Sequence, residues 1–325
     1  MSPSWNAVRF SPSGRGHVES YFLKLNDGVG RRALWLKTTI LERRGAPAVA
    51  EAWAIAFDRE GEHRAAKLVV PWESARFSTT GLDVAIGPVS LRDGEARGEL
   101  GQGETTISWD LRWDHAAAPL VPFPLSRMYT GPFPKSKAVS PVPDARFHGS
   151  YTVNGERVEV HGARGMLGHN WGASHAHRYA WAHAAGFEGE PDAVFEGLAG
   201  RVKLGPVVLP TLTLACLRLR GVRYDWNLPL DLARNAGRIG RRSFQFSCES
   251  AIGRIDGDFT GSTEDFVGLL YENPSGRPCH CLNSKLARGV LEVRLAGRLP
   301  LVLRTREAAL ELGTTDQAHG IRMLA

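Results

Sequence analysis

The chain has 325 residues, of which 43% are hydrophobic and 23% are charged, a composition that excludes a disordered or fibrous protein and is typical of a globular one. This length predicts two domains of roughly 150 residues each, with one large domain as the alternative. The net charge is +6. Because the basic residues are scattered and no nucleic-acid motif accompanies them, we expect no nucleic-acid partner.

The sequence also indicates the cellular compartment and the oxidation state of the cysteines. The amino-terminal residues lack the apolar stretch of a secretory signal, and no segment reaches the roughly 20 apolar residues of a membrane helix. Four cysteines clustered towards the C-terminus are too few for a secreted disulfide framework. We therefore expect a cytoplasmic protein with reduced thiols and no integral membrane segment. Peripheral membrane contact to obtain a substrate and the oligomeric state stay open.

Short segments with alternating apolar and polar residues recur along the chain and predict antiparallel β-strands. The segments 106–113 (TISWDLRW) and 243–248 (SFQFSC) place their apolar residues on one face, and 209–219 and 290–295 follow the same pattern. Turn signals such as Val153-Asn154-Gly155 separate them. The sequence predicts an all-β fold of barrels or sandwiches, with one short helix at 230–239 (LDLARNAGRI).

Seven prolines lie between residues 119 and 143. Because proline lacks the N–H that a central strand needs, we interpret this stretch as a linker or a long crossing loop. The predicted division is therefore an N-terminal domain of residues 1–145, which includes the proline-rich connection, and a C-terminal domain of residues 146–325.

The run 165–186 (GMLGHNWGASHAHRYAWAHAAG) concentrates histidine and tryptophan. A strand through its centre would place small residues on one face, suited to packing against another sheet, and large polar-tipped residues on the other. The large residues are His175, His177, Tyr179, Trp181 and His183. Since such side chains combine apolar bodies with single hydrogen-bonding tips, they predict the wall of an apolar pocket. The alternative is that they are core residues and structural hydrogen-bond donors.

Three glycines upstream bracket His169, Asn170 and Trp171 and predict a sharp turn or a bulge before this strand. Four histidines in the run also allow a metal site. Their spacing matches no compact zinc signature, so we expect no metal and no other cofactor.

Three motifs are spread along the chain: Glu19-Ser20-Tyr21-Phe22, the run 165–181, and Asn283-Ser284-Lys285. They resemble the lipocalin-like family that contains carotenoid hydratases of the hydroxyneurosporene synthase type, AttH-like proteins and tocopherol cyclase-like proteins. The resemblance implies two lipocalin-like β domains, in barrel or sandwich form, that hold a hydrophobic ligand at or between them. It also implies a hydratase, a cyclase or an enzyme that guides an intramolecular cycloaddition.

Hydration or cyclisation of an alkene needs a proton donor in a dry pocket, and burial keeps a carboxylic acid protonated. Family sequences often place acidic residues just before the tryptophan that Trp171 matches, whereas this chain has none there, so we expect the donor elsewhere. Glu19 is the preferred donor for its place in the first motif. The other possible donors are Asp110, Asp114 and Glu196. The remaining candidate catalytic residues, which would position water or relay protons, are His169, Asn170, His175 and His177.

The candidate ligand-binding residues are Tyr21, Trp171, Tyr179, Trp181, His183, Asn283 and Lys285. Aromatic rings stabilise a cation by about 0.5 to 2 kcal/mol each, and Asn283 or Lys285 can donate a hydrogen bond to a folded substrate. We therefore predict an enzyme that acts on a hydrophobic unsaturated small molecule, isoprenoid or polyketide-like, by acid-assisted hydration, cyclisation or substrate-folding cycloaddition. A non-catalytic carrier or sensor of a hydrophobic ligand is the alternative.

Overall fold

The alternating segments form strands throughout the computed structural model of the chain, which describes residues 4–115, 117–176, 178–204 and 207–325. The strands make two antiparallel sheets that follow one another along the sequence. The prediction of an all-β fold is confirmed. Among the described residues, no helix has the length and apolar character needed to cross a membrane.

The first sheet has eleven strands. They are β1 (His17–Asn26), β2 (Arg32–Glu42), β3 (Val49–Asp58), β4 (Arg64–Pro71), β5 (Ala75–Phe77), β6 (Asp83–Ile86), β7 (Val89–Arg92), β8 (Glu95–Gln102), β9 (Thr105–Asp114), β10 (Ser136–Val153) and β11 (Glu156–Gly172). Their order is β4-β3-β2-β1-β11-β10-β9-β8-β7-β6-β5. Because β4 approaches β8, where the Lys67 N–H donates to Gln102 Oε1 at 3.0 Å, the sheet is nearly closed into a barrel.

The second sheet has ten strands. They are β12 (Tyr179–Phe187), β13 (Glu190–Leu204), β14 (Val207–Leu219), β15 (Val222–Trp226), β16 (Ala236–Ile239), β17 (Ser243–Ser250), β18 (Gly253–Thr260), β19 (Val267–Tyr271), β20 (Cys279–Leu295) and β21 (Leu301–Thr314). Their order is β15-β14-β13-β12-β21-β20-β18-β17-β16, and β19 also pairs with β20. The helical elements described are α1 (Arg127–Thr130) and two 3-10 turns, Trp72–Ser74 and Thr263–Asp265.

Strand β9 shows how alternation builds a core. Ile107 and Leu111 are buried inside the first barrel, whereas Asp110 and Arg112 on the other face are exposed. The predicted strand at 243–248 likewise forms β17 and buries its apolar face in the second sheet. Each sheet therefore has its own apolar core, as the alternation predicts.

The helix predicted at 230–239 is wrong. Residues 229–234 form turns, and residues 236–239 form β16. Asn235 fixes the change of direction, because its side-chain amide donates to the carbonyl oxygens of Thr213 and Trp226 at 3.0 and 2.9 Å. A Cβ on Gly237 would overlap the Thr213 hydroxyl, so this glycine allows the close approach of β16 to β14.

The prediction that the proline-rich stretch excludes a central strand is wrong for its last part. Strand β10 begins at Ser136 and continues through Pro141 and Pro143 while pairing with β11. Its register against β11 shifts at both prolines, and β9 pairs with β10 only from Arg146 onwards. The prolines therefore occupy bulges, where the ladder with β11 needs no N–H from them, while Ser140 beside them bridges Leu120 on the other edge.

The chain passes from the first sheet to the second between Gly172 and Tyr179. Residue 145, near which the sequence predicts a domain boundary, lies inside β10, whose partners β9 and β11 both belong to the first sheet. The β10–β11 hairpin stays with the first sheet because residues 164–172 of β11 pair with β1.

Of the turn or bulge predicted around the glycines upstream of the histidine-rich run, the turn is wrong, whereas the register between β11 and β10 does shift between Leu167 and His169. β11 continues to Gly172 and pairs with β1 without a register shift. A Cβ on Gly165 would overlap the Lys24 carbonyl oxygen, and a Cβ on Gly168 would overlap the Phe22 ring. These glycines therefore allow close approach between β11 and β1 rather than a change of direction.

Candidate functional site

Glu19 lies in the interior of the first barrel and is fully buried. Strand pairing places Tyr21 opposite His169, and both side chains reach the Glu19 carboxylate. Oε1 accepts hydrogen bonds from His169 Nε2 at 2.8 Å and from the Tyr21 hydroxyl at 3.3 Å. Oε2 accepts one from His17 Nε2 at 3.0 Å, and the Arg9 N–H donates to Oε1 at 2.8 Å. This carboxylate is therefore fully hydrogen-bonded.

The hydrogen bonds to Glu19 determine its protonation. Burial by itself would raise the pKa of Glu19, but the hydrogen bonds from His169 and His17 hold that pKa at about 2. His169 also contacts the Trp5 carbonyl oxygen through Nδ1 at 2.6 Å. The two ring nitrogens of His169 thus contact the Glu19 carboxylate and a backbone carbonyl oxygen, which fixes the orientation of the ring. An ionised Glu19 does not suit the proton donor predicted for it.

Trp171 and Asn170 lie on opposite faces of β11. Trp171 is buried against Tyr129 and Val139, and its ring centroid is 4.7 Å from that of His169. Asn170 points away from this interior and is half-buried. We refer to the predicted residues inside the first barrel as the first-barrel cluster, which consists of Glu19, Tyr21, His169 and Trp171.

His175 lies in the connection before β12, not in a strand as predicted. Its N–H donates to Asn273 Oδ1 at 2.7 Å, and its ring centroid is 5.1 Å from that of Tyr271. Burial and the nearby Lys37 charge lower the pKa of His175 to about 3. The imidazole is therefore neutral at physiological pH and does not suit the proton relay predicted for it. His177 lies outside the described residues.

The side chains of β12 alternate as predicted, but the aromatic face, and not the alanine face, packs against the other sheet. The alanine face lies in the core of the second sheet. The face with Tyr179, Trp181 and His183 packs against the first sheet, where Trp181 contacts Met166 and lies 5.5 Å, centroid to centroid, from Phe22. Small alanine side chains fit the interior of a strongly curved sheet, so the aromatic face is left for the interface between the sheets.

Asn283 and Lys285 reach this interface from β20 and meet Glu311 of β21. Lys285 Nζ donates to Glu311 Oε1 at 2.7 Å and to Asn283 Oδ1 at 2.6 Å. The Asn283 amide donates to the same Glu311 oxygen at 3.1 Å. Lys285 is fully buried, and this burial lowers the pKa of its ammonium although Glu311 opposes the effect. The two predicted residues of the late motif thus form one buried, charged network.

Aromatic rings from both sheets enclose Lys285. Its Nζ lies 5.4 Å from the Trp181 ring centroid and 5.2 Å from that of Trp35 on β2. The next outward-facing residue of β2 is Lys37, whose Nζ lies 3.6 Å from the Tyr271 ring centroid and 5.8 Å from that of Trp35. Burial lowers the pKa of Lys37 to about 8. Ammonium groups and rings therefore alternate across the interface.

Glu196 extends this arrangement on the other side of Trp181. Its Oε1 accepts hydrogen bonds from Trp181 Nε1 at 2.9 Å and Ser140 Oγ at 3.1 Å, whereas its Oε2 has no partner among the described residues. Burial raises the pKa of Glu196 to about 7, so a proton is available near neutral pH. His183 contacts the Pro143 carbonyl oxygen at 2.9 Å, and burial lowers its pKa, so it stays neutral.

Tyr179 lies flat against β21 at the same interface. A Cβ on Gly313, its partner in the sheet, would overlap the ring. Burial and the neighbouring Cys281 raise the pKa of Tyr179, so its hydroxyl keeps its proton and remains a hydrogen-bond donor.

The interface therefore holds one continuous series of acid, rings and ammonium groups. We refer to it as the interface row, which consists of Glu196, Trp181, Lys285, Trp35, Lys37 and Tyr271. The sequence named Trp181 and Lys285 as ligand-binding residues and Glu196 as a possible donor, but it missed Trp35, Lys37 and Tyr271, and also Glu311. A usable signal existed, since Lys37 interrupts the apolar run LWLKTTI and Glu311 interrupts AALELG.

Two surface pockets lie elsewhere on the molecule. One, of about 450 Å³, is at the end of the second sheet beside Arg298 and Leu299. The other, of about 300 Å³, lies between the loops that carry His63 and Glu264. As far as the described residues show, no predicted site residue lines either pocket, so buried charges and rings mark the candidate site.

The two sheets, one a nearly closed barrel and the other a half-barrel, define a lipocalin-like fold. Three solved structures share it. An AttH-like protein of Nitrosomonas europaea is 13% identical, with a TM-score of 0.57, and the match covers 96% of this chain and 99% of that one. Kievitone hydratase of Nectria haematococca is 12% identical, with a TM-score of 0.55 and a coverage of 91% of this chain and 89% of that one. CghA with Sch210972 is 13% identical, with a TM-score of 0.60 and a coverage of 92% of this chain and 88% of that one. The resemblance predicted from the sequence is thus confirmed at the level of the fold.

The sequence comparisons add a relative. The chain is 28% identical over 311 residues to an uncharacterised protein of Mycobacterium tuberculosis, present in strains H37Rv and CDC 1551, and the match covers 92% of this chain and 88% of that protein. No family model matches the chain.

Proposed function

We propose that this protein is an enzyme that hydrates or cyclises a hydrophobic unsaturated small molecule, isoprenoid or polyketide-like, at the interface row. The observation that carries the proposal is the position of Trp181, which hydrogen-bonds the buried acid Glu196 and packs beside the buried ammonium of Lys285. The fold supports it, since kievitone hydratase and CghA share this architecture.

Glu196 is the proposed proton donor. Its Oε2 proton would pass to one alkene carbon, leaving a carbocation on the other and a carboxylate on Glu196. The Trp181 ring would stabilise the cation by about 0.5 to 2 kcal/mol. Water, or a nucleophile within the substrate, would then bond to the cation and return a proton to Glu196, which balances the reaction without a cofactor.

Lys285 and Tyr179 serve the same site as hydrogen-bond donors. Lys285 Nζ is held by Glu311 and Asn283, and the Tyr179 hydroxyl keeps its proton. Such fixed donors can orient a substrate oxygen and lower the barrier of an intramolecular cycloaddition, for which no acid is needed. This reaction is the second candidate at the same interface.

The cellular compartment, the source of the substrate and the absence of a cofactor remain as proposed from the sequence. All four cysteines are free and buried, which supports a reducing compartment such as the cytoplasm. A hydrophobic substrate would be obtained by peripheral contact with a membrane. Nothing in the proposed chemistry requires a metal or an organic cofactor.

Product analysis tests the proposal. The purified protein is incubated with a panel of polyenes, isoprenoid and polyketide, in H₂¹⁸O, and products are followed by mass spectrometry. We expect either incorporation of one water or an isomeric cyclic product, and its loss in Glu196→Gln. Glu190→Gln is the matched control, since Glu190 lies on the same strand in a surface pair with Arg220. Ligand binding without any product would favour the carrier, and full activity in Glu196→Gln would favour the cycloaddition.

A further inference from the structure

Lys37 is a buried ammonium whose surroundings are rings. It is 5% exposed, and its Nζ lies 3.6 Å from the Tyr271 ring centroid and 5.8 Å from those of Trp35 and Trp53. Among the described residues no oxygen atom makes a hydrogen bond or an ion pair with this Nζ. The contrast with Lys285, which has two oxygen partners, is direct.

The carboxylates nearest to Lys37 are already used. Glu51 pairs with Lys67 at 2.9 Å and accepts the Trp53 indole N–H at 3.0 Å. Glu311 pairs with Lys285 at 2.7 Å. Each carboxylate is therefore paired with another lysine, and within the described part of the chain neither is hydrogen-bonded or ion-paired to Lys37 Nζ.

Rings alone are a poor substitute for a counterion. A cation–π contact is a weak interaction, and it leaves N–H donors of an ammonium without acceptors. Burying an unpaired charge is costly, and an apolar side chain of similar length would pack there at lower cost. A lysine retained at this cost indicates a partner outside the chain that carries the missing negative charge.

We propose that Lys37 binds an acidic oxygen of the substrate, a carboxylate, enolate or phenolate, while Trp35, Trp53 and Tyr271 contact the adjoining hydrophobic part. The inference rests on the proposed function for the location of the substrate. It specifies the substrate class further, as a hydrophobic molecule with one acidic group. Binding of such a molecule does not depend on turnover, so the two proposals can fail separately.

Matched acid and ester probes test the charge. trans-Parinaric acid and retinoic acid, each beside its methyl ester, are titrated against the protein at pH 7 by fluorescence. We expect at least one acid to bind about tenfold or more tightly than its ester, as for a charge-assisted hydrogen bond. Lys37→Met should remove this preference and leave ester binding unchanged. Lys135→Met is the control, because it removes an exposed ammonium that does not belong to the interface row.

The same variants give a second measurement without ligand. Because Lys37 is unpaired, Lys37→Met should raise Tm by about 2 to 4 °C, whereas Lys285→Met should lower it by breaking the pair with Glu311. No preference for either acid in the wild type, including no binding, overturns the proposal. A preference that survives Lys37→Met, or a Tm that falls in Lys37→Met as it does in Lys285→Met, also overturns it. Acid binding through Lys37 without any product would leave this inference standing and remove the proposed enzyme.

Discussion

The first-barrel cluster and the interface row both contain buried charged groups, but they differ in how completely those groups are hydrogen-bonded. Every oxygen of the Glu19 carboxylate in the cluster has donors, from His169, His17 and the Arg9 backbone. In the row, as far as the described residues show, Glu196 keeps one oxygen without a partner, and Lys37 Nζ lies against the Tyr271 ring without a hydrogen-bonded carboxylate. A buried charge with a structural role needs all of its hydrogen-bond partners within the protein. A buried charge that lacks partners costs stability, and we expect one where a ligand supplies the missing partner. The comparison favours a structural role for the cluster and agrees with the function proposed for the row.

Glu19→Gln gives the largest effect and tests the structural role of the cluster. It removes the buried carboxylate that accepts hydrogen bonds from His169, His17 and the Arg9 N–H, so we expect a loss of about 3 to 5 kcal/mol in the free energy of unfolding, measured by urea denaturation at pH 7. The pKa of Glu19 is lowered in the fold, so its contribution is complete above its ordinary value of 4.5 and is lost as pH falls towards about 2. The wild type should therefore lose this difference in acid.

Tyr21→Phe is the control for Glu19→Gln, since it removes only the hydroxyl contact at 3.3 Å. It should cost about 1 kcal/mol or less. If Glu19→Gln instead left stability unchanged and abolished turnover, Glu19 would belong to the catalytic machinery and the comparison would be broken.

Glu196→Gln has a smaller effect on stability, and the effect depends on pH. The pKa of Glu196 is raised by burial from 4.5 to about 7, so its stabilising protonation is complete below 4.5 and is lost as pH rises through 7. Between pH 5 and pH 8 the wild type should lose on the order of 1 to 3 kcal/mol more than Glu196→Gln in urea denaturation. The surface variant Glu190→Gln should follow the wild type. Parallel pH profiles for Glu196→Gln and the wild type would contradict a buried, protonated carboxyl group.

Asn170→Ala gives the smallest effect and sharpens the boundary between the two regions. Asn170 is half-buried on the face of β11 opposite His169. We expect its free energy of unfolding to stay within about 0.5 kcal/mol of the wild type and its product formation to be unchanged. A selective loss of product formation at normal stability would extend the site to β11 and revive the role predicted for Asn170.

The strands could be predicted because their signal is local. In β9 and β17 the side chains alternate between core and solvent, and the sequence repeats that alternation. The failures are places where a neighbour in space decides. Pro141 is tolerated in β10 because the register against β11 shifts there, and 236–239 is a strand because Gly237 lets β14 approach closely. Neither neighbour can be identified from the local pattern.

The candidate site was predicted in part. Trp181 and Lys285 were named from their own motifs, and the structure brings them within 5.4 Å, ring centroid to Nζ. Glu19 was named from a motif as well, but its low pKa depends on His169, which is 150 positions away in the chain. Lys37 was missed because a lysine in a strand is usually solvated, and only the packing of the two sheets makes it buried.

By itself, the sequence determined the β architecture, the faces of β12 and the aromatic and basic residues that such a site uses, because side-chain alternation and residue chemistry are local properties. The tertiary structure decided which face of β12 meets the first sheet, which carboxylates find partners, and which charges remain unpaired. Those outcomes depend on the packing of strands distant in the chain, since burial and pairing set both the pKa of a group and its cost. Lys37 and Glu196 acquire their proposed roles only there.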